Sequence, residues 1–333
     1  MKDISNYSLK THNTFGIDAT CSRYLEFGST EEAKQVASIL RTENSPYIII
    51  GGGSNLLLTR DYAGIVVRSV INGVKIEGCD VSCGSGVEWD SLVEYLIGLG
   101  LYGAENLSLI PGDVGASAVQ NIGAYGVEAK DLIVRVWCVE IATGEQRVFS
   151  RDDCAYGYRY SRFKGEWRNK YLITRVDYRL SQSFTPRLDY GNIRSELVCR
   201  GINNPTAQQM RETIIAIRQQ KLPDPKVTGN AGSFFMNPVV SRAKFEELAV
   251  RYPAMPHYTI ADGDEKIPAG WLIEQCGWKG RHLGRAGVHP KQALVLVNLG
   301  GATGHEIVTL CNAIRDDVRN KFGIDIHPEV NIV

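Results

Sequence analysis

Residues 109–128 read LIPGDVGASAVQNIGAYGVE. From Pro111 to Gly126 this stretch holds four glycines and three alanines, with no lysine or arginine. Such a run of small residues lets successive backbone N–H groups point into one concavity, which suits phosphate oxygens. Hydrogen bonds to charged groups contribute about 1.5–3 kcal/mol each, so a few of them could hold a diphosphate. The stretch is therefore either a ligand-binding loop or a set of tight turns.

A second glycine-rich segment, IIIGGGSN at 48–55, follows a predicted strand at 47–50. Its three consecutive glycines mark backbone that turns tightly or approaches a ligand closely. Neither segment matches GxGxxG or GxxxxGK[ST], so the sequence does not support a standard dinucleotide fold or a P-loop. Here too, ligand binding and a simple turn both remain open.

Composition limits the classes of protein to which this chain could belong. The 333 residues include 37 basic and 37 acidic side chains, so no charge excess favours nucleic acid or an anionic membrane. The N-terminus lacks a signal-peptide core, and no apolar run approaches the roughly 18 residues of a membrane span. The eight cysteines show no CxxC spacing. We therefore expect a cytoplasmic protein with reduced thiols and no structural metal. We also expect a monomer, although composition does not decide the oligomeric state.

Helical and alternating patterns occur side by side along the chain and predict a mixed α and β fold. Two prolines within 221–225 end a predicted helix and indicate a domain boundary. Predicted helices lie at 30–40, 89–98, 207–221, 242–250, 268–276 and 304–322. The first and the last each have an apolar stripe that we expect to be buried: Ala33, Val36, Ala37 and Leu40 in the first, and Ile307, Leu310, Cys311, Ile314, Val318 and Phe322 in the last. Predicted strands lie at 47–50, 64–68, 132–141, 171–180 and 293–298.

GGGSNLLL at 51–58, followed by the 109–128 stretch, resembles the FAD-binding domain of the UDP-N-acetylenolpyruvoylglucosamine reductase family. These are flavoproteins of the p-cresol methylhydroxylase type. The resemblance extends from NTFGIDA at 13–19 to HPEV at 327–330. Further segments fit in order: YGYRYSRFK (156–164), KLPDPKVTGNAGSFFMNP (221–238), AGWLIEQCG (269–277) and HPKQALVLVN (289–298). YGYRYSRFK, the tyrosine of LDYGN and YTIADG are typical of the longer, type I form.

The resemblance implies an α+β fold with a two-part FAD-binding domain and a C-terminal α+β substrate-binding domain. The expected divisions are 1–67 (with 326–333 returning to it), 68–217 and 218–325. The FAD contacts implied by the two glycine-rich segments are Gly51, Gly53, Ser54, Asn55, Pro111, Gly112, Gly115, Ala116, Ser117, Gln120, Asn121 and Gly123.

The family reaction has two halves. NADPH gives a hydride to FAD, and the enolpyruvyl double bond of the nucleotide sugar then receives it, yielding UDP-N-acetylmuramate for peptidoglycan synthesis. Both NADPH and the sugar must reach the same flavin face, so we expect them to use one pocket in turn. The protein's task is orientation and charge stabilisation.

The resemblance assigns three catalytic residues: Arg159, Ser233 and Glu329. Arg159 would hold the substrate carboxylate with two parallel hydrogen bonds, and its loss should cost about 3–4 kcal/mol in the barrier. Glu329 would hydrogen-bond the developing enolate, as an acid kept protonated by burial. From the pattern alone, Arg159 could simply stack on Tyr158 and Tyr160, and Glu329 could simply be solvated.

Ser233, within GNAGSFFMNP at 229–238, would be a proton donor and not a nucleophile. A nucleophilic serine needs a nearby base, and the chain has no GxSxG motif. A serine that protonates a carbanion needs placement, dry surroundings and a route for reprotonation, since its partner is strongly basic. Without the resemblance, a strand-end serine bonded to local backbone remains the alternative.

Four further residues match family positions that hold the nucleotide diphosphate and sugar: Tyr190, Lys221, Asn237 and Gln292. Tyr190 would belong to a loop that closes over substrate. Lys221 would supply a point charge for the diphosphate, although a helix-terminal lysine that satisfies backbone carbonyls fits the sequence as well. His289 is as readily structural as functional. The chain departs from the family pattern at Asn331, where many relatives have arginine, and at Met236, where lysine is frequent.

Three rival functions remain open from the sequence. The first is a flavin oxidoreductase of the same fold with another substrate, which flavin reoxidation by the enolpyruvyl sugar would separate. The second is a nucleotide-sugar-binding module without redox activity, which would lack flavin absorbance even after FAD is added. The third is a serine hydrolase, which would require fluorophosphonate labelling of Ser233.

Overall fold

The computed structural model describes residues 1–260 and 263–333. Ala261 and Asp262, which belong to the YTIADG segment, lie outside the described residues. The strands are β1 Lys2–Ser8, β2 Thr20–Phe27, β3 Tyr47–Ile50, β4 Leu56–Leu57, β5 Tyr62–Ser69, β6 Val74–Glu77, β7 Asp80–Gly84, β8 Gly123–Ala124, β9 Val127–Glu128, β10 Ile133–Glu140, β11 Gln146–Ser150, β12 Tyr171–Arg179, β13 Gly229–Ser233, β14 Val239–Val240, β15 Tyr258–Thr259, β16 Glu265–Lys266, β17 His282–Leu283, β18 Ala286–Val288, β19 Val295–Asn298 and β20 Asn331–Ile332. The helices are α1 Thr30–Thr42, α2 Trp89–Gly98, α3 Val114–Gln120, α4 Ile193–Cys199, α5 Ala207–Lys221, α6 Arg242–Arg251, α7 Ala269–Gln275 and α8 Gly304–Phe322.

The chain divides into two compact units, and each is built from separate stretches of sequence. Unit 1 comprises Met1–Tyr7, Cys21–Gly53 and Ala63–Arg218. Unit 2 comprises Ser8–Thr20, Ser54–Tyr62 and Gln219–Val333. The finer division into 1–67, 68–217 and 218–325 stays a prediction.

The first sheet of unit 1 has the strand order β1-β2-β5-β3. β3 runs parallel to β5, with Tyr47 opposite Ile65, and α1 precedes β3 in the chain. α1 begins after Ser29, whose side chain accepts a hydrogen bond from the Glu32 N–H. Its predicted apolar stripe of Ala33, Val36, Ala37 and Leu40 is buried. The sequence prediction for this region is therefore confirmed.

The second sheet of unit 1 has the order β11-β10-β12-β7-β6 and is antiparallel. Beside it lies a core that includes Trp89 of α2 and Tyr178 of β12, whose rings meet edge to face. On the polar face of β12, Asp177 accepts hydrogen bonds from Arg135 at 2.8 Å and from Trp137 at 2.7 Å. This buried carboxylate is satisfied by partners within the sheet, as a buried charge must be.

The 111–126 stretch is not a continuous loop, because residues Val114–Gln120 form α3. Small residues make this helix possible where it packs closely on the sheet. A Cβ on Gly115 would lie 3.0 Å from the Ser85 Cβ. The helix ends at Asn121, which adopts a left-handed conformation with φ 46°. Close packing of small residues was thus mistaken for irregular structure.

Unit 2 contains the sheet β13-β19-β18-β17, and α8 contacts β18 and β19. The predicted inner face of α8 is buried along its whole length. α8 begins with a capping box between Thr303 and Glu306. β20 pairs in parallel with β4, with Asn331 opposite Leu56, so the C-terminus lies beside the segment that follows the three glycines. Among the described residues, no helix combines the length and apolar content needed to cross a membrane.

Candidate active site

The two glycine-rich segments meet inside unit 1. A Cβ on Gly52 would lie 3.3 Å from the Gly112 Cα, and one on Gly51 would lie 3.2 Å from the Ala116 Cβ. We call Gly51–Gly53 together with Gly112–Ala116 the glycine cradle. Contacts this tight explain the small residues on both sides, since any larger side chain would push the segments apart.

Asp113 carries the charged side chain of the glycine cradle. It is buried, and its Oδ2 lies 3.9 Å from Arg68 Nη2. Burial raises the pKa of Asp113 to about 6, against the opposing effect of Arg68, and Glu88 adds to the rise. The sequence analysis missed this residue. The available signal was an acid inside an otherwise uncharged run of small residues.

Several other predicted cofactor residues make contacts within unit 1 that hold the fold. The Ser117 hydroxyl is buried, donates to the Val114 carbonyl at 2.7 Å, and lies 2.8 Å from the Tyr178 hydroxyl. The Asn121 amide donates to Gly157 O at 2.8 Å. The side chains of Ser117 and Asn121 therefore fix α3 and the following turn. Only the backbone groups of these two residues could contact a ligand. Gln120 accepts from Lys164 Nζ at 2.9 Å.

Arg159 lies in a tight turn in which Gly157 and Tyr160 exchange backbone hydrogen bonds of 3.0 and 3.1 Å. Its φ of 54° is left-handed, which costs a non-glycine residue about 1–2 kcal/mol. Arg159 Nη2 donates to Gly123 O at 2.7 Å, which brings this cation to the end of the 111–126 stretch. It also lies over the Tyr158 ring. Strain at a residue so firmly anchored favours a functional role over simple stacking.

Arg218 is a second cation of unit 1, and the sequence analysis missed it. Burial lowers the pKa of Arg218, and the nearby positive charge of Arg159 acts in the same direction. Its Nε is buried without a hydrogen-bond partner among residues 1–260 and 263–333. Arg218 directly follows Ile217, the last buried residue of α5, and this place near the end of the apolar stripe was the signal available. Two neighbouring guanidinium groups of this kind suit an anionic ligand.

Tyr190 packs on the turn at the end of the 111–126 stretch. Its ring atoms would lie 3.7 and 3.8 Å from a Cβ on Gly126, and its side chain is 47% exposed. Burial raises the pKa of the neighbouring Tyr125, and Tyr190 contributes to that rise. Unit 1 therefore brings together Arg159, Arg218 and Tyr190 around residues 123–126.

Ser233 is the last residue of β13 in unit 2, and its backbone pairs with Val295. The register shifts between Asn230 and Ser233, and Gly232 has φ 67°, so a bulge redirects the end of the strand. Ser233 is exposed, whereas Phe234 and Phe235 are buried. The predicted dry surroundings are thus not built into the strand end itself.

Glu329 lies beside Ser233 through the backbone. The Glu329 N–H donates to Phe234 O at 2.8 Å, and Phe235 forms a bridge with Pro328. The Asn55 amide donates to Glu329 O at 3.3 Å, so the segment after the three glycines reaches the same place. Unit 2 therefore brings Ser233, Glu329 and the predicted cofactor residues Ser54 and Asn55 into one neighbourhood.

Asn237 and Gln292 meet at the start of α7. Asn237 Oδ1 accepts from the Ala269 N–H at 2.9 Å, and a Cβ on Gly270 would lie 3.2 Å from Gln292 Oε1. Lys221 is exposed at the last position of α5, and its contact with the diphosphate stays a prediction. The His289 N–H donates to Val295 O at 2.9 Å, and burial lowers the pKa of its imidazole, which fits a structural role.

Comparison with known proteins gives matches along the chain. Residues 22–150 match the family model of an FAD binding domain, and residues 224–333 match that of the UDP-N-acetylenolpyruvoylglucosamine reductase C-terminal domain. The UDP-N-acetylenolpyruvoylglucosamine reductase of Bacteroides fragilis (strain YCH46) is 53% identical over 332 residues, covering 98% of this chain and 99% of its own. That of Burkholderia vietnamiensis is 44% identical over 333 residues, covering 98% and 95%.

A crystal structure of the corresponding reductase from Thermus caldophilus superposes with a TM-score of 0.69 at 22% identity, covering 99% of this chain and 98% of that one. At this identity the match shows the fold. Together with the two family models, it confirms the predicted fold class, an FAD-binding domain followed by a C-terminal reductase domain. The chain belongs to the UDP-N-acetylenolpyruvoylglucosamine reductase family.

Proposed function

We propose that this chain catalyses the NADPH-dependent reduction of the enolpyruvyl group of UDP-N-acetylglucosamine enolpyruvate to UDP-N-acetylmuramate, a peptidoglycan precursor. It is an FAD-dependent oxidoreductase. The structural observation that carries the proposal is the glycine cradle, in which Gly52 and Gly112 lie so close together that a Cβ on Gly52 would be 3.3 Å from the Gly112 Cα. The close approach gathers backbone of both glycine-rich segments in one place, where its N–H groups could bind a cofactor diphosphate.

The residues of the glycine cradle fit FAD. Its surface is made of backbone and small side chains, and one buried carboxylate oxygen, Asp113 Oδ2, has no hydrogen-bond partner among the described residues. We propose that Gly51, Gly53, Pro111, Gly112, Ala116 and Gly123 bind the cofactor through backbone, and that Ser54 and Asn55 also contribute. When bound, FAD supplies the hydride chemistry between NADPH and the enolpyruvyl double bond.

Arg159 is proposed to hold the substrate carboxylate, which gains negative charge as hydride arrives on the terminal carbon. Its Nη2 already donates to Gly123 O at 2.7 Å, so the guanidinium is oriented before substrate binds. Arg218, whose positive charge acts on Arg159 within unit 1, would reinforce that field. Preorganised charge of this kind is usually the largest contribution to lowering a barrier.

Ser233 is proposed to donate a proton from its hydroxyl oxygen to the carbon next to the substrate carboxylate. Glu329 is proposed to hydrogen-bond the developing enolate. The backbone bond from Glu329 N to Phe234 O at 2.8 Å supports a shared location for these two residues. The bulge before Ser233 gives the strand end the shape needed to present its hydroxyl.

Substrate binding is proposed to involve Tyr190, Lys221, Asn237 and Gln292. The small-molecule partner is a nucleotide sugar. The proposed protein is a monomer in the cytoplasm, where NADPH and nucleotide sugars are available. Support comes from the convergence of Asn237 and Gln292 at Ala269 and Gly270. The amides of Asn237 and Gln292 could hydrogen-bond the sugar and the diphosphate together.

Anaerobic half-reactions test the proposed function. Purified protein is reduced with one equivalent of NADPH, and the enolpyruvyl nucleotide sugar is then added while the flavin absorbance is recorded. The proposal predicts that the flavin band bleaches with NADPH and returns with the sugar. A flavin that stays reduced would favour a different substrate. A protein that binds no FAD would favour a binding module, and fluorophosphonate labelling of Ser233 would favour a hydrolase.

A further inference from the structure

The proposed reaction leaves one buried charged group of the glycine cradle without a task. Asp113 is only 6% exposed. It occupies the N-cap position of α3, yet its side chain makes no capping bond to that helix. Its carboxylate instead lies against the three glycines. A Cβ on Gly51 would lie 3.5 Å from Oδ2, and one on Gly52 would lie 3.4 Å from Oδ1.

The charges around Asp113 leave its carboxylate poorly compensated. Arg68 of β5 is 3.9 Å from Oδ2, too far for a hydrogen bond. Oδ2 is buried and has no hydrogen-bond partner in the described part of the chain. Glu88, at the N-cap of α2, adds negative charge. On β2, Tyr24 interacts with Arg68 and donates to Glu26 at 2.9 Å.

The remaining elements at Asp113 bring no charge at all. Gly51–Gly53 has no side chains, and the α3 sequence VGASAVQ contains no ionisable group. Burial raises the pKa of Asp113 to about 6, so the free protein holds it mostly ionised at neutral pH. A further negative group brought next to it would favour the neutral acid.

We propose that Asp113 binds FAD as a neutral carboxylic acid, so that loading the cofactor takes up one proton from solution. This inference rests on the proposed FAD site. The cofactor's diphosphate is anionic, and an ionised carboxylate beside it would meet like charge where screening by water is weak. A protonated Oδ2 donates a hydrogen bond to an acceptor oxygen of the ligand, which gives this buried atom the partner it otherwise lacks.

The sign of the pH dependence follows from linkage. In the free protein Asp113 loses its proton as pH rises through about 6, whereas in the complex it keeps the proton to a higher pH. FAD affinity is therefore constant below pH 6. Above it, affinity falls by up to about tenfold per pH unit, until the pH reaches the pKa of Asp113 in the complex.

Calorimetry measures this proton directly. The full chain is stripped of FAD and titrated with FAD at pH 7 in buffers that differ in ionisation enthalpy. The wild type should take up the larger part of one proton per FAD, because Asp113 is mostly ionised before FAD binds. Asp113→Asn should lose that uptake and bind FAD with a dissociation constant that no longer rises between pH 6 and 8. The exposed carboxylate of Asp152, paired with Arg151, gives the control: Asp152→Asn should behave as the wild type.

Two results overturn the inference: equal proton uptake by the wild type and Asp113→Asn, or FAD binding by the wild type without uptake. If Asp113→Asn does not fold, infrared difference spectroscopy on the wild type decides. A carboxylic acid C=O band must appear when FAD binds, and its absence contradicts the inference. If the wild-type chain has a native circular dichroism spectrum but binds no FAD, the proposed function is contradicted as well. If it binds FAD without taking up a proton, only the proposed role of Asp113 is contradicted.

Discussion

Arg159 in unit 1 and Ser233 in unit 2 are positioned in opposite ways. Arg159 is held by its side chain, which donates to Gly123 O at 2.7 Å from a left-handed turn. Ser233 is held by its backbone, because a bulge and the pairing with Val295 fix the strand while the side chain stays exposed. A cation that must meet a planar carboxylate benefits from a fixed orientation. A hydroxyl that must lose and regain a proton benefits from access.

Arg159→Lys gives the largest expected effect on the unit 1 side of this contrast. Lysine keeps the charge but cannot make two parallel bonds to a carboxylate. Steady-state turnover should fall about 10²–10³-fold. Arg162→Lys is the matched control, because the Arg162 guanidinium is paired with Glu166 at the surface. It should change turnover less than about fivefold. Turnover close to wild type in Arg159→Lys would show that Arg159 acts through its charge alone, and equal losses in both variants would show that the effect is not specific to Arg159.

Gly232→Ala tests whether the bulge positions Ser233. The φ of 67° at Gly232 costs alanine about 1–2 kcal/mol, which the strand end can relieve by shifting. Turnover of the folded variant should fall about tenfold, which is more than any loss of thermal stability explains. Gly201→Ala introduces the same strain at φ 70°, with no atom within 4 Å of the added Cβ, and should leave turnover unchanged. Parallel behaviour of the two variants would remove the bulge from the account.

Sequence patterns predicted the elements that have a strong period, and they missed structure that depends on close packing. The α8 stripe from Ile307 to Phe322 and the α1 stripe are buried as predicted. α3 was missed because glycine and alanine carry no amphipathic signal, although the approach of Gly115 to Ser85 requires them. Short strands such as β13 depend on distant partners, which no local pattern reveals.

The site shows the same division. Ser233, Glu329 and Arg159 were predicted from motifs that resemble the family in sequence order, and their roles stay predictions. Asp113 and Arg218 were missed because each stands out only through a buried side-chain atom without a hydrogen-bond partner among the described residues. That is a property of the folded chain. The roles of Ser117 and Asn121 also change in emphasis, since both side chains bond inside unit 1. Motifs thus predict which residues take part in the chemistry, and packing decides which of their atoms remain available for it.

Asn331→Ala gives the smallest expected effect and concerns the departure from the family pattern. The Asn331 amide donates to Asn55 O at 3.1 Å beside the β4–β20 pairing. Its loss should cost about 1 kcal/mol of stability and weaken FAD binding by no more than about fivefold. Thermal unfolding and an FAD titration measure both. A much larger loss of FAD affinity would show that Asn331 replaces the arginine of other relatives as a cofactor contact.

Single-turnover kinetics of Ser233→Ala test the central claim most directly. The variant is reduced anaerobically with NADPH in a stopped-flow instrument and then mixed with the enolpyruvyl nucleotide sugar. We expect NADPH to bleach the flavin at the wild-type rate, because that half-reaction needs no proton from Ser233. Return of the flavin band should be slower by about 10²–10⁴-fold. Return at the wild-type rate would contradict Ser233 as the proton donor.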